Sequence, residues 1–210
     1  MVTTLQAKDV GLNVLEKSFG LQWIQDDVFF PEWEEDLAEV TPQERQQIDQ
    51  IRAGYFYQIQ DPPLLEKTIQ MIVVAPLLFL AGLYLPPFRI HAEKSVEISA
   101  MDDDILVKGA LDILLLRHGF WAMVIESKRA SFSIEAGLGQ LLAYMLANPD
   151  RDRPCYGLIA TGSDFIFIKM VQSATGPQYA TSDQFAMRRS GDLYEVFRIL
   201  KRLASLSPGG

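Results

Sequence analysis

The sequence predicts one α/β (α+β) domain built on a mixed central sheet. Three observations predict it. About half of the 210 residues are apolar, 49%, enough to bury one core at this length. Helical spacing dominates up to about residue 84, and alternating or continuous apolar strand runs dominate from 88 to 128. A helix, more strands and a closing helix then follow, an order that suits layered helices on a sheet.

Residues 1–40 read as an N-terminal acidic arm, with residues 41–210 as the domain. The stretch DDVFFPEWEEDLAE (26–39) mixes acids with Phe29, Phe30 and Trp33. It reads as a solvated arm with aromatic anchors, or as an acidic partner-binding segment. Thr41 then offers a helix cap, Pro42 suits the first helical position, and Glu44 completes a capping box. Ile48, Ile51 and Tyr55 recur at helical spacing, and DPP at 61–63 breaks the chain. The run from Leu64 to Tyr84 reads as a more buried helix that Pro76 kinks or interrupts. Met71 to Phe88 carries no charge. Pro76, Gly82 and Pro86-Pro87 make it a core helix rather than a membrane span, so no stable membrane association is expected. A membrane-attached helical protein is the contrary reading.

FRIHAEKSVEIS (88–99) alternates and reads as a strand, MDDD (101–104) as a turn, and ILVKGALDILLL (105–116) as the second strand. RHG (117–119) makes a tight turn into FWAMVIESK (120–128), the third. SIEAGLGQLLAYMLAN (133–148) is a helix, with Ser133 as cap and Glu135 in the first turn, where the dipole favours an acid. CYGLIATG (155–162) and SDFIFIKMV (163–171) are buried strands, DLYEVFRILKRLASL (192–206) is an amphipathic helix, and SPGG a frayed end.

Net charge is −8 and the isoelectric point about 4.8, so any nucleic-acid contact must be a local basic patch. The single Cys155 excludes an intrachain disulfide and fits a reducing, cytoplasmic interior. The opening MVTTLQAKDVG lacks the apolar stretch of a secretory leader.

Chemistry concentrates in GALDILLLRHGFWAMVIESKRA (109–130). Side chains alternate along a strand, so Glu126 and Lys128 share a face. Pairing Leu116 with Phe120 sets Asp112 opposite about residue 124, diagonal to Glu126. Two carboxylates and one lysine then meet at one end of a hairpin, net negative, where a cation would complete the charge. Oxygen ligands suit Mg²⁺, with Mn²⁺ as a substitute. The alternative is a salt-bridged sheet edge.

Asp112, followed by Glu126-Ser127-Lys128 on the next strand, resembles the signature of the PD-(D/E)xK nuclease superfamily. Gln140 and Tyr144, one turn apart on the following helix, are similar to the Q-x-x-x-Y motif of type I restriction nuclease domains. From about Trp33 to Leu203 the chain also resembles a family of short cyanobacterial proteins usually labelled restriction endonucleases, sharing stretches like PLLFLAGLY, PPFRI, IESKR, LAYM and FIFIK. It departs from the superfamily in carrying Leu111 where Pro often precedes the Asp.

The resemblance implies a restriction endonuclease-like core and an Mg²⁺-dependent endonuclease acting on DNA, working as a homodimer where two strands are cut. Asp112, Glu126 and the Ser127 carbonyl would hold metal. Lys128 would act on the nucleophilic water or the transition-state charge. Glu66 would add a metal or water contact, or is simply a helix-start acid. Gln140 and Tyr144 would contact phosphate or brace Lys128, or merely pack. Arg129, Arg151, Arg153, Lys169, Arg188, Arg189, Lys201 and Arg202 are candidate phosphate contacts. The same fold used as a non-catalytic nucleic-acid-binding or assembly module is the alternative function.

Several motifs are set aside. Glu93 and Glu97 read as solvent-facing, and Asp102 to Asp104 as a solvated turn. His91 and His118 lack zinc-ligand spacing, and Cys155 reads as core. Ser131 and Ser163 lack the partners of a nucleophilic triad. GLGQ (137–140) is no phosphate loop, so the chain carries no motor of its own, and any methylase or motor partner is unspecified.

Overall fold

A nine-stranded mixed sheet lies between two helical layers. The computed structural model describes residues 3–100, 105–128 and 134–206. The expected Ser133 cap, the Asp102–Asp104 turn, Ser131, Arg129 and the SPGG end therefore lie outside the described residues, and so does the side chain of Glu135.

Residues 3–33, read above as an arm, contribute sheet and core. β1 (Thr3–Gln6) pairs in parallel with β4 (Ile105–Arg117), and β2 (Gln22–Trp23) pairs with β8 (Gly176–Thr181). Ala7, Val10, Leu21 and, on α1 (Leu12–Phe19), Leu15 are buried in the core on one sheet face. Phe30 is buried on the other face, with Phe29 and Trp33 packed beside it. These strands are too short to show a period. Partners far along the chain make them strands.

α2 (Pro42–Gln58) begins as expected. Thr41 N–H donates to Glu44 Oε2 at 2.8 Å, and Glu44 N–H donates to Thr41 Oγ1 at 3.2 Å. The next helical run is broken earlier than Pro76. α3 (Glu66–Ile69) passes into a π turn, Gln70–Val74, and then α4 (Ala75–Leu80), whose second residue is Pro76. Proline has no N–H to give, and its ring crowds the carbonyl four residues back. The preceding turn widens instead, with Ala75 N–H donating to the Gln70 carbonyl. No helix among the described residues is long and apolar enough to cross a membrane.

β3 (Phe88–Ser99) is the exposed antiparallel partner of β4, and Glu93 and Glu97 are exposed as expected. His118 and Gly119, at φ 51° and 87°, make the tight turn into β5 (Phe120–Ser127), since two left-handed residues match the twist of a hairpin. The expected Leu116–Phe120 pairing is corrected. Arg117 pairs with Phe120 and Leu116 with Trp121, and a bulge then passes over Ala122 so that Leu115 pairs with Met123. Carrying that register onward sets Asp112 directly across from Glu126.

β5 pairs in parallel with β6 (Cys155–Ala160), which runs antiparallel to β7 (Asp164–Ser173). β9 (Phe185–Ala186) borders β7. α5 (Ile134–Leu146) covers the face shared by Leu114 and Val124. α2, the α3–α4 run and α6 (Asp192–Ser205) cover the face of Met123 and Ile125.

Candidate functional site

The site stands at the end of the β4–β5 pair, under α5. Asp112 comes from the middle of β4 and Glu126 from the end of β5. Asp112 Oδ2 accepts from Ser127 N–H at 2.7 Å. Glu126 is almost wholly buried, at 1% exposure. Its Oε1 accepts from Lys128 Nζ at 2.6 Å and from Gln140 Nε2 at 2.7 Å. Lys128 Nζ also donates to Gln140 Oε1 at 2.8 Å, and its backbone N–H donates to Ala160 O at 2.9 Å.

Helical spacing puts Tyr144 below Gln140 on α5. Gln140 Nε2 lies 2.8 Å from the Tyr144 hydroxyl oxygen, which accepts from it, and the hydroxyl donates to the Ala110 carbonyl at 3.0 Å. Gly109 makes room for this. A Cβ there would lie 2.8 Å from Tyr144 Oη and 2.8 Å from Ala7 Cβ. Gln140 thus bridges Lys128 and Glu126, and Tyr144, buried in the core, backs Gln140.

Glu66, on α3, also reaches this corner. Burial raises its pKa, and the Asp112 charge raises it further, while Lys128 opposes. Burial also raises Asp112, against the lowering effects of Ser127 N–H, Lys128, Lys67 and the Gln70 amide. Glu126 is pushed up to about 8, first by burial and then by the charge of Asp112, with Lys128 pulling the other way. Three carboxyls therefore share a partly buried corner with Lys128, which is paired to Glu126, while nearby Lys67 is paired to Glu93 at 2.8 Å. That imbalance is what a structural ion pair avoids.

The oxygen donors fit a hard divalent cation. Glu126 Oε2 and Ser127 Oγ are buried without hydrogen-bond partners. Among the described residues no three His, Cys, Asp or Glu side chains form a ready metal cage. Mg²⁺ needs none, being held by one or two carboxylates and keeping several waters.

Other candidates lie elsewhere. Lys169 is committed to Glu32 at 2.6 Å on the opposite sheet face, Lys201 to Glu44 at 2.8 Å and Arg202 to Asp36 at 3.0 Å. Arg151 and Arg153 line a cleft of about 740 Å³ at the far end of α5 and β6, which includes no residue of this corner. Arg188 and Arg189 are exposed, Arg189 facing Asp192 at 3.6 Å. The sequence reading missed Gln70, although its four-residue spacing from Glu66 already put both on one helical face. It also missed Gly109, whose role depends on the fold.

No family model matches this chain, and no curated protein matches it.

Proposed function

We propose that the protein is a metal-dependent nuclease that hydrolyses DNA phosphodiester bonds at the Asp112–Glu126–Lys128 corner. The observation that carries this reading is the charge imbalance there: Asp112, Glu126 and Glu66, all with raised pKa, against Lys128, which is paired to Glu126, with nearby Lys67 paired to Glu93. Asp112 and Glu126 would hold Mg²⁺ or Mn²⁺, with the Ser127 carbonyl and Glu66 contributing. Such an ion polarises a phosphodiester and acidifies a bound water.

The chain's own groups do the rest. Ser127 N–H keeps the Asp112 carboxylate oriented. Gln140 holds both Glu126 and Lys128, so the ammonium sits at a set position beside the carboxylates. From there it stabilises negative charge developing on the phosphoryl oxygens. Tyr144 supports Gln140 from below. Exposed Arg188 and Arg189 offer phosphate contacts, and a homodimer would place two such sites on the two strands.

A second reading is a non-catalytic nucleic-acid-binding or assembly module on the same fold. Supercoiled plasmid with Mg²⁺ or Mn²⁺ separates the two. The nuclease nicks or linearises it, and Asp112→Ala or Lys128→Ala lowers the rate by roughly 10²-fold or more. Equal cutting by all three proteins is contamination and refutes the site. DNA binding without cutting, in either metal, favours the module.

A further inference from the structure

Gln70 opens the π turn, a defect that costs hydrogen-bond geometry and recurs at functional sites. It lies one turn beyond Glu66, and both side chains act on Asp112. Gln70 Nε2 is buried and makes no hydrogen bond of good geometry, yet the amide lies close enough to Asp112 to lower its pKa. Asp112 already has one oxygen, Oδ2, on Ser127 N–H. The amide therefore stands beside a carboxylate that Ser127 N–H holds firmly and that Gln70 has not closed upon.

We propose that Gln70 is a positioning residue for the cation site. Its side-chain amide closes on Asp112 when a divalent cation binds, clamping the carboxylate between Gln70 Nε2 and Ser127 N–H. An unpaired donor is tolerated in the cation-free protein because a small movement of Asp112 satisfies it in the loaded one. Pro76 has a part in this. By widening the turn before it, it sets the angle at which Gln70 leaves the helix. The inference rests on the nuclease reading only for the presence of a cation at Asp112 and Glu126.

The test uses the full chain and Mn²⁺ itself as probe, read by its electron paramagnetic resonance signal, beside cation-free thermal melts. Gln70→Met keeps the length and removes the donor. It is expected to weaken Mn²⁺ binding about 10- to 100-fold, with a cation-free Tm equal to or above wild type, because an unsatisfied donor has gone. Gln70→Asn, which keeps the amide but withdraws it by one methylene, falls between the two. Wild-type Mn²⁺ affinity in Gln70→Met overturns the proposal while leaving the nuclease reading intact. So does a lowered cation-free Tm with unchanged affinity, which makes Gln70 structural. A wild type that neither binds Mn²⁺ nor cuts plasmid removes the cation site, and both readings fall together.

Discussion

Two glutamates, Glu126 buried and Glu32 half-buried, show what separates a structural charge from a working one. Glu32 Oε1 accepts from Lys169 Nζ at 2.6 Å and from the Tyr156 hydroxyl at 2.9 Å, and its Oε2 has no partner. Glu126 also has an orphan oxygen, so an orphan alone decides nothing. The difference is company: Glu32 has one ammonium to itself, whereas Glu126 shares Lys128 with Asp112 and Glu66. This has a sign in pH. An unfolded Glu126 titrates near 4.5, and the folded one is pushed up to about 8. Between those values the folded chain keeps a proton that the unfolded chain has lost, so this contribution to stability is full below pH 4.5 and is lost as pH rises through 8. The cation-free Tm is therefore expected to fall between pH 5 and 8.5. Mg²⁺ at one hundred times its Kd adds about 2.7 kcal/mol, or about 5–10 °C, at pH 8. The gain is smaller at pH 5 and absent in Asp112→Asn. A melt indifferent to Mg²⁺ at both pH values would count against cation binding at this corner.

At the scale of elements, α5 is held where its glycines allow it. Gly139 faces the turn after β1, and a Cβ there would lie 2.2 Å from the Val10 carbonyl oxygen. Backbone cannot yield as a flexible side-chain tip does. Gly139→Ala is expected to push α5 off that turn and lower stability by about 1–3 kcal/mol, read by urea unfolding. Because Gln140 is the next residue, the same change should lower any cleavage rate. Unchanged stability would mean that the turn at residues 10–11 moves freely. The β4–β5 bulge shows the opposite kind of control. Leaving Ala122 unpaired shifts the pairing by one residue, and the shift converts a diagonal Asp112–Glu126 relation into a facing one.

For the molecule as a whole, the N-terminal residues complete the sheet and one of its two cores. β1 extends the edge of β4 where β5 does not reach, along Ile105–Lys108, and Ala7, Val10 and Leu15 pack beside Leu141 and Tyr144 under it. Deleting residues 1–11 is expected to broaden or abolish the cooperative melt and to expose apolar surface to a hydrophobic dye. A solvated arm could be removed without either effect. A deletion variant that melts like the full chain would restore the arm reading.

Local pattern was enough for much of this. The capping box at Thr41, the hairpin turn at His118-Gly119, the long strands, α5 and α6 all follow from neighbours a few residues apart, and so does the sharing of one face by Glu126 and Lys128. The shift in register that sets Asp112 across from Glu126, the pairing of β1 and β2 with distant strands, the burial of the Gln70 amide, and the burial that lifts Glu126 depend on contacts between remote segments. Periodicity carries information only about the faces of single elements. Desolvation, register shifts and the pairing of short edge strands are properties of what packs against those faces, and only the tertiary structure decides them.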